Sequence, residues 1–85
     1  MENKKTLADL AVGEYGMIAG LVTVGSMRRR FLDVGLSAGT RVMCVGESPF
    51  GDPRAYFVRG CKIAIRRTDA KTVLIDKPEA DTENS

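Results

Sequence analysis

The chain has 85 residues, enough for one domain that buries only about 60% of its unfolded surface, so its core has to be compact. At 44% hydrophobic residues the composition is globular, and with no histidine the chain lacks the commonest metal ligand and the commonest general base. The formal charge of +2 is unevenly placed: residues 1–76 hold 12 of the 13 Lys and Arg and 8 of the 11 Asp and Glu, which leaves a mildly basic body with a short acidic tail at 77–85.

That basic balance is sparser than the dense cationic face of a duplex binder, so no nucleic-acid partner is expected. Two cysteines, Cys44 and Cys61, cannot build a disulfide scaffold. With no signal-peptide pattern ahead of them, they read as buried free thiols in a reducing cytoplasm. No apolar run approaches the ~18 residues that cross a bilayer, so membrane insertion is not expected.

In chain order, residues 1–5 are polar and read as frayed. Thr6 to Leu10 reads as one helical turn, with Thr6 and Asp9 at capping-box spacing and with Leu7 and Leu10 as a lid on the core. Glu14 to Val22 has strand character, and its Gly16 and Gly20 are expected to bend or bulge the strand as small barrels require. Gly20 and Gly25 have phosphate-loop spacing, but Ser26 and Met27 replace the lysine and the Ser/Thr of that motif. No nucleotide is therefore expected there.

Ser26 is suited to cap a helix of about two turns. Met27, Phe31 and Val34 form its buried stripe, and Gly35 takes the left-handed position that ends it, with Leu36 folding back on Phe31. Arg28, Arg29 and Arg30 then fall in the first turn, where each cation opposes the macrodipole at about 0.3–1 kcal/mol. Leu32 points away from the stripe. Two readings stand side by side: solvated arginines with Leu32 packed on a loop, or a docking face for an acidic, partly apolar partner.

Thr40 to Val45 predicts a strand with Val42 and Cys44 on one face. Glu47 and Ser48 with Pro49, Phe50, Gly51, Asp52 and Pro53 read as a loop, since neither proline fits a central ladder. Arg54 to Arg59 and Cys61 to Arg66 are strands joined at Gly60, the second with Cys61, Ile63 and Ile65 facing inward. Residues 67–71 make one polar 3₁₀ or helical turn, and Thr72 to Asp76 is a last short strand. Residues 77–85 have no apolar anchor and read as a disordered tail after a single domain at 1–76. The fold class is mainly β: about five strands in a small barrel or sandwich, with one short helix between strands one and two and an N-terminal helical turn. Asp9, Glu14, Asp33, Glu47, Asp52, Asp69 and Asp76 are scattered, so neither a metal, a cofactor nor an enzymatic activity is expected.

The run Leu7, Leu10, Gly13, Ile18, then RRFLDVGL at 29–36, Gly39, SPFGDP at 48–53, VRG at 58–60 and IRR at 65–67 resembles the FeoA family. The likeness spans about Leu7 to Ile75, and the helix–glycine segment together with the Pro-x-Gly-Asp-Pro loop makes it specific. Gly46 departs from it, standing where relatives often carry a basic residue. The resemblance implies an SH3-like barrel with the helix at one end. It also implies a cytoplasmic accessory protein of bacterial ferrous-iron uptake that binds and regulates the FeoB permease. A related domain ends the iron-dependent repressors.

On that reading the expected contact surface is Arg28, Arg29, Arg30 and Leu32 with the loop Pro49, Phe50, Gly51, Asp52 and Pro53. One alternative is an arginine finger supplied to the permease GTPase. Another is a stand-alone regulatory module that binds a peptide, for which Tyr15, Phe31, Phe50, Tyr56 and Phe57, with no tryptophan, are a thin aromatic basis. Phe50 is also a point for weak self-association.

Overall fold

The computed structural model describes residues 5–76. The elements are β1 (Lys5–Thr6), a 3₁₀ turn (Leu7–Asp9), β2 (Tyr15–Leu21), α1 (Gly25–Val34), β3 (Arg41–Glu47), β4 (Arg54–Val58), β5 (Cys61–Ile65), α2 (Arg67–Ala70) and β6 (Val73–Ile75). They form one antiparallel sheet in the order β1-β6-β2-β3-β4-β5.

Among the described residues the sheet is open rather than a closed barrel, and six strands replace the expected five. The extra strand is β1, where Lys5 and Thr6 pair with Ile75 and Leu74 although the segment reads as frayed. Two strand ends are thus left as edges, β1 and β5. Side chains bridge the gap that the ladder leaves. The Tyr56 hydroxyl donates to Leu7 O at 3.1 Å, and Arg54 Nη1 donates to Leu10 O at 2.6 Å. Curl comes from register shifts between Ile18 and Gly20 in β2 and between Cys44 and Gly46 in β3. Gly20 acts as expected, whereas Gly16 serves close packing: a Cβ there would lie 2.9 Å from Ile75 Cδ1.

The core joins the sheet's inner face to the caps. Ile18, Val42, Cys44, Tyr56, Val58, Ile65, Val73 and Ile75 meet Leu7 and Leu10 from the N-terminal turn and Phe31 and Leu36 from α1. The Thr6 amide donates to Asp9 Oδ2 at 2.8 Å, so the capping-box spacing forms as read. Cys61 is a correction: it is exposed, not inward. It opens an edge strand directly after the Arg59–Gly60 turn, where no neighbour covers it, and inward burial is complete only at Ile65.

The α1 helix also starts differently. It begins at Gly25 with Val24 in the cap position, so no side chain caps it and Ser26 lies inside. Gly25, at φ +72°, carries the turn into the helix one residue early. The arginines consequently fall on its fourth to sixth residues, beyond the first turn, where opposition from the dipole fades. The C-terminal end is as read. Gly35 adopts φ +106°, Leu36 N donates back to Phe31 O at 2.9 Å, and a Cβ at Gly35 would run into the Arg59 side chain. The tail, residues 77–85, lies outside the described residues.

Candidate interaction surface

The helix divides the expected contact set in two. Leu32 stands four residues on from Arg28 and three on from Arg29, so it neighbours both, and the three line a hollow of about 400 Å³ with Gly25 and Asp33. Leu32 is 41% exposed there, so an apolar patch lies among cations. Arg28 Nη1 reaches Leu21 O at 3.4 Å, a long contact that lays its stem along the helix entry. Arg30 points elsewhere: with Met27, Phe31 and Val34 it walls a groove of about 480 Å³ whose other side is Ile63, Ala64 and Ile65 of β5, Arg66 just before α2 and Asp69 within it.

The Pro49–Pro53 loop is bonded to itself and to α2. Gly51 N donates to Ser48 O at 2.8 Å, Ser48 N to Pro53 O at 3.1 Å, and Asp52 N to Ser48 Oγ at 3.0 Å. Gly51 makes the turn at φ +85°. Asp52 Oδ1 accepts the Arg67 amide at 2.8 Å, the first free N–H of α2. That carboxylate is engaged within the fold, which leaves Pro49, Pro53 and above all Phe50, 95% exposed, as the loop's outward surface. Between loop and helix stands α2, held by Asp52 at its start and facing Arg30 through Asp69.

Sequence reading misses two groups. The first is internal: Arg54, only 8% exposed, donates to Leu10 O, to Ala8 O at 3.3 Å and from Nε to Glu47 Oε1 at 3.2 Å. Its signal was the alternation Arg54-Ala55-Tyr56-Phe57-Val58, which puts the arginine on the same inward face as Tyr56 and Val58. Burial pushes the Tyr56 hydroxyl above the ordinary phenol value, an effect that the neighbouring Arg54 charge partly opposes. The second group lies on the outer face of the sheet. The Arg41 guanidinium stacks 4.5 Å from the Tyr15 ring, and both line a hollow of about 440 Å³ with Met43, Phe57 and Arg59. Among the described residues no three His, Cys, Asp or Glu side chains converge as a metal site would need, and every buried side-chain N or O has a partner. No helix among them is long and apolar enough to cross a membrane.

A family model described as the FeoA domain matches residues 5–77. Among solved structures, FeoA of Stenotrophomonas maltophilia in complex with zinc is described as a procaryotic SH3 domain protein and a candidate ferrous iron transport activating factor. It is 24% identical, with a TM-score of 0.81 over 92% of this chain and 99% of its own. A FeoA-like protein from Clostridium acetobutylicum is 28% identical, with a TM-score of 0.78 over 100% of this chain and 95% of its own. A manganese-dependent transcriptional repressor in complex with manganese is 17% identical, with a TM-score of 0.75 over 89% of this chain but 37% of its own. The likenesses at 24% and 17% concern the fold alone: an SH3-like domain whose sheet stays open here. Among curated proteins no sequence matches the chain.

Proposed function

We propose, from the premise that this chain belongs to the FeoA domain family, that it is an accessory protein of ferrous-iron uptake acting by docking. The docking target is the cytoplasmic side of the FeoB permease. The observation that carries the reading is the α1 face, where Arg28 and Arg29 flank the exposed Leu32. Arginine pairs with carboxylates in a planar fork at low hydration cost, and an apolar side chain between two such forks suits a partner of alternating acidic and apolar surface. Phe50, exposed on a loop braced against α2, adds a second apolar point. The role is one of binding rather than catalysis, and it takes place in the cytoplasm.

Capture of full-length permease from detergent-solubilised membranes tests this, with the wild-type chain beside Arg28→Glu/Arg29→Glu and Arg30→Glu variants. Wild-type capture that the double reversal abolishes is the expected result. Equal capture by the double reversal moves the contact off this face. Capture by none of the three removes the docking reading itself.

A further inference from the structure

Among the described residues the β5 strand pairs on one side only, with β4. Which of its backbone groups are left over follows from the hairpin geometry. Val58 and Cys61 flank a two-residue turn in which Arg59 and Gly60 have φ of 49° and 84°, the type I′ signature. In such a hairpin the flanking pair exchanges both hydrogen bonds, and bonded pairs then alternate along the ladder. Val58/Cys61, Tyr56/Ile63 and Arg54/Ile65 are therefore the bonded pairs. The N–H and C=O of Lys62 and Ala64 point away from the sheet, and among the described residues neither finds a partner.

This open edge runs along the groove between β5 and α1. Three successive β5 residues, Ile63, Ala64 and Ile65, line it, although neighbouring side chains in a strand point to opposite faces. A groove that meets all three follows the strand's edge. Its floor is apolar, from Met27, Phe31, Val34, Ile63 and Ile65, and its rim carries Arg30 and Arg66 against the single acid Asp69. Lys62 adds a third cation on the edge itself.

We infer that the groove between α1 and β5 is a slot for an extended polypeptide segment of a protein partner, which adds a strand to the free edge of β5. Lys62 and Ala64 supply the main-chain bonds, alternate apolar side chains enter the Phe31–Val34–Ile63 floor, and carboxylates on that segment meet Arg30 and Arg66. Carboxylates are chosen by the charge of the rim. The inference deepens the docking reading by naming the kind of segment bound, and it rests on that reading only for the partner's identity.

The test uses the full chain and a synthetic peptide, (Glu-Val)₄, with (Lys-Val)₄ as control, read by amide hydrogen exchange in NMR. Strand addition predicts slowed exchange at Lys62 and Ala64 and little change at Cys61, Ile63 and Ile65, whose amides already face β4. The acidic peptide should bind about tenfold more tightly than the basic one, the combined effect of two rim arginines turning from attraction to repulsion. Ala64→Pro deletes an outward N–H, a position where an edge strand accepts proline. It should keep a cooperative melt and lose the protection at Lys62, and Arg30→Glu/Arg66→Glu should weaken binding while leaving the edge intact.

No protection with either peptide, or equal binding of both, overturns the inference. Protection of Lys62 and Ala64 without peptide also overturns it: if it rises with protein concentration the occupant is a second copy, and if it vanishes on removal of residues 77–85 the occupant is the chain's own acidic tail. Permease capture is a separate readout. Capture that survives Ala64→Pro unchanged refutes the slot as the permease's binding place while leaving the docking reading in force.

Discussion

Replacing Arg54 by methionine keeps most of the stem's packing and removes the guanidinium that ties β4 to the N-terminal turn. Leu10 O loses a charge-assisted bond of 2.6 Å and Ala8 O a longer one of 3.3 Å. A hydrogen bond to a charged group contributes about 1.5–3 kcal/mol, and the carbonyl left behind is buried without a donor. The ion pair adds less: the Glu47 side chain is 45% exposed and re-solvates on loss of its partner, a change of about 1 kcal/mol at most. The expected cost is about 2–4 kcal/mol, a large share of the roughly 5–15 kcal/mol that holds a domain folded. Urea unfolding at neutral pH, with the slope unchanged, reads this as a lower midpoint. Hydrogen exchange should localise it, with the Leu10 amide released sooner than amides shared by β3 and β4. Tyr56→Phe, which removes one neutral bond to Leu7 O, should cost about 1 kcal/mol, and the two changes should be non-additive because both anchor the same turn. A loss below about 0.5 kcal/mol for Arg54→Met would show that the latch does not close the gap left by the open sheet.

Asp52→Ala should lower stability by about 0.5–2 kcal/mol, since the first amide of α2 loses its acceptor, whereas Asp52→Asn, which keeps an acceptor oxygen, should retain most of the stability; a calorimetric melt separates these from any docking role. Cys61 should react with a thiol-specific reagent in the native protein, and Cys44 only after denaturation; equal rates would contradict the packing of β3. Stability should fall at alkaline pH through Tyr56. Its hydroxyl titrates higher when folded than unfolded, so its contribution is complete below about pH 10 and is lost as pH rises towards the folded value. Tyr56→Phe should flatten that decline in a pH series of urea midpoints.

Local signals of the sequence carried far. The Thr6/Asp9 spacing, the Gly35 stop and the two-proline loop each describe chemistry settled within a few residues, and each appears in the structure as read. Of the Met27–Phe31–Val34 stripe, by contrast, only Phe31 is buried, and the other two stay half-buried along the groove. The start of α1 was harder to read. Ser26 has the right side chain for a cap, but the positive φ of Gly25 decides where the chain turns. Cys61 misled for a related reason, because alternation gives the face of a residue and says nothing of whether another element covers that face.

The candidate surface follows the same division. That Arg28, Arg29 and Arg30 crowd one short helix is plain from the sequence, yet the helix phase separates Arg30 from the other two, and only the position of β5 and α2 makes a groove on its side. By itself, then, the sequence determined the main strands, the central helix with its glycine stop, the N-terminal capping box and the family likeness, because these depend on contacts a few residues apart. The pairing of β1 and the start of α1 escaped it. Tertiary structure alone decided that the sheet stays open, that a buried arginine and tyrosine bridge the opening, and that β5 keeps a free edge. Those outcomes depend on contacts between residues more than forty positions apart, such as Arg54 with Leu10 and Tyr56 with Leu7. Their energy is set by what surrounds both partners once the chain has closed.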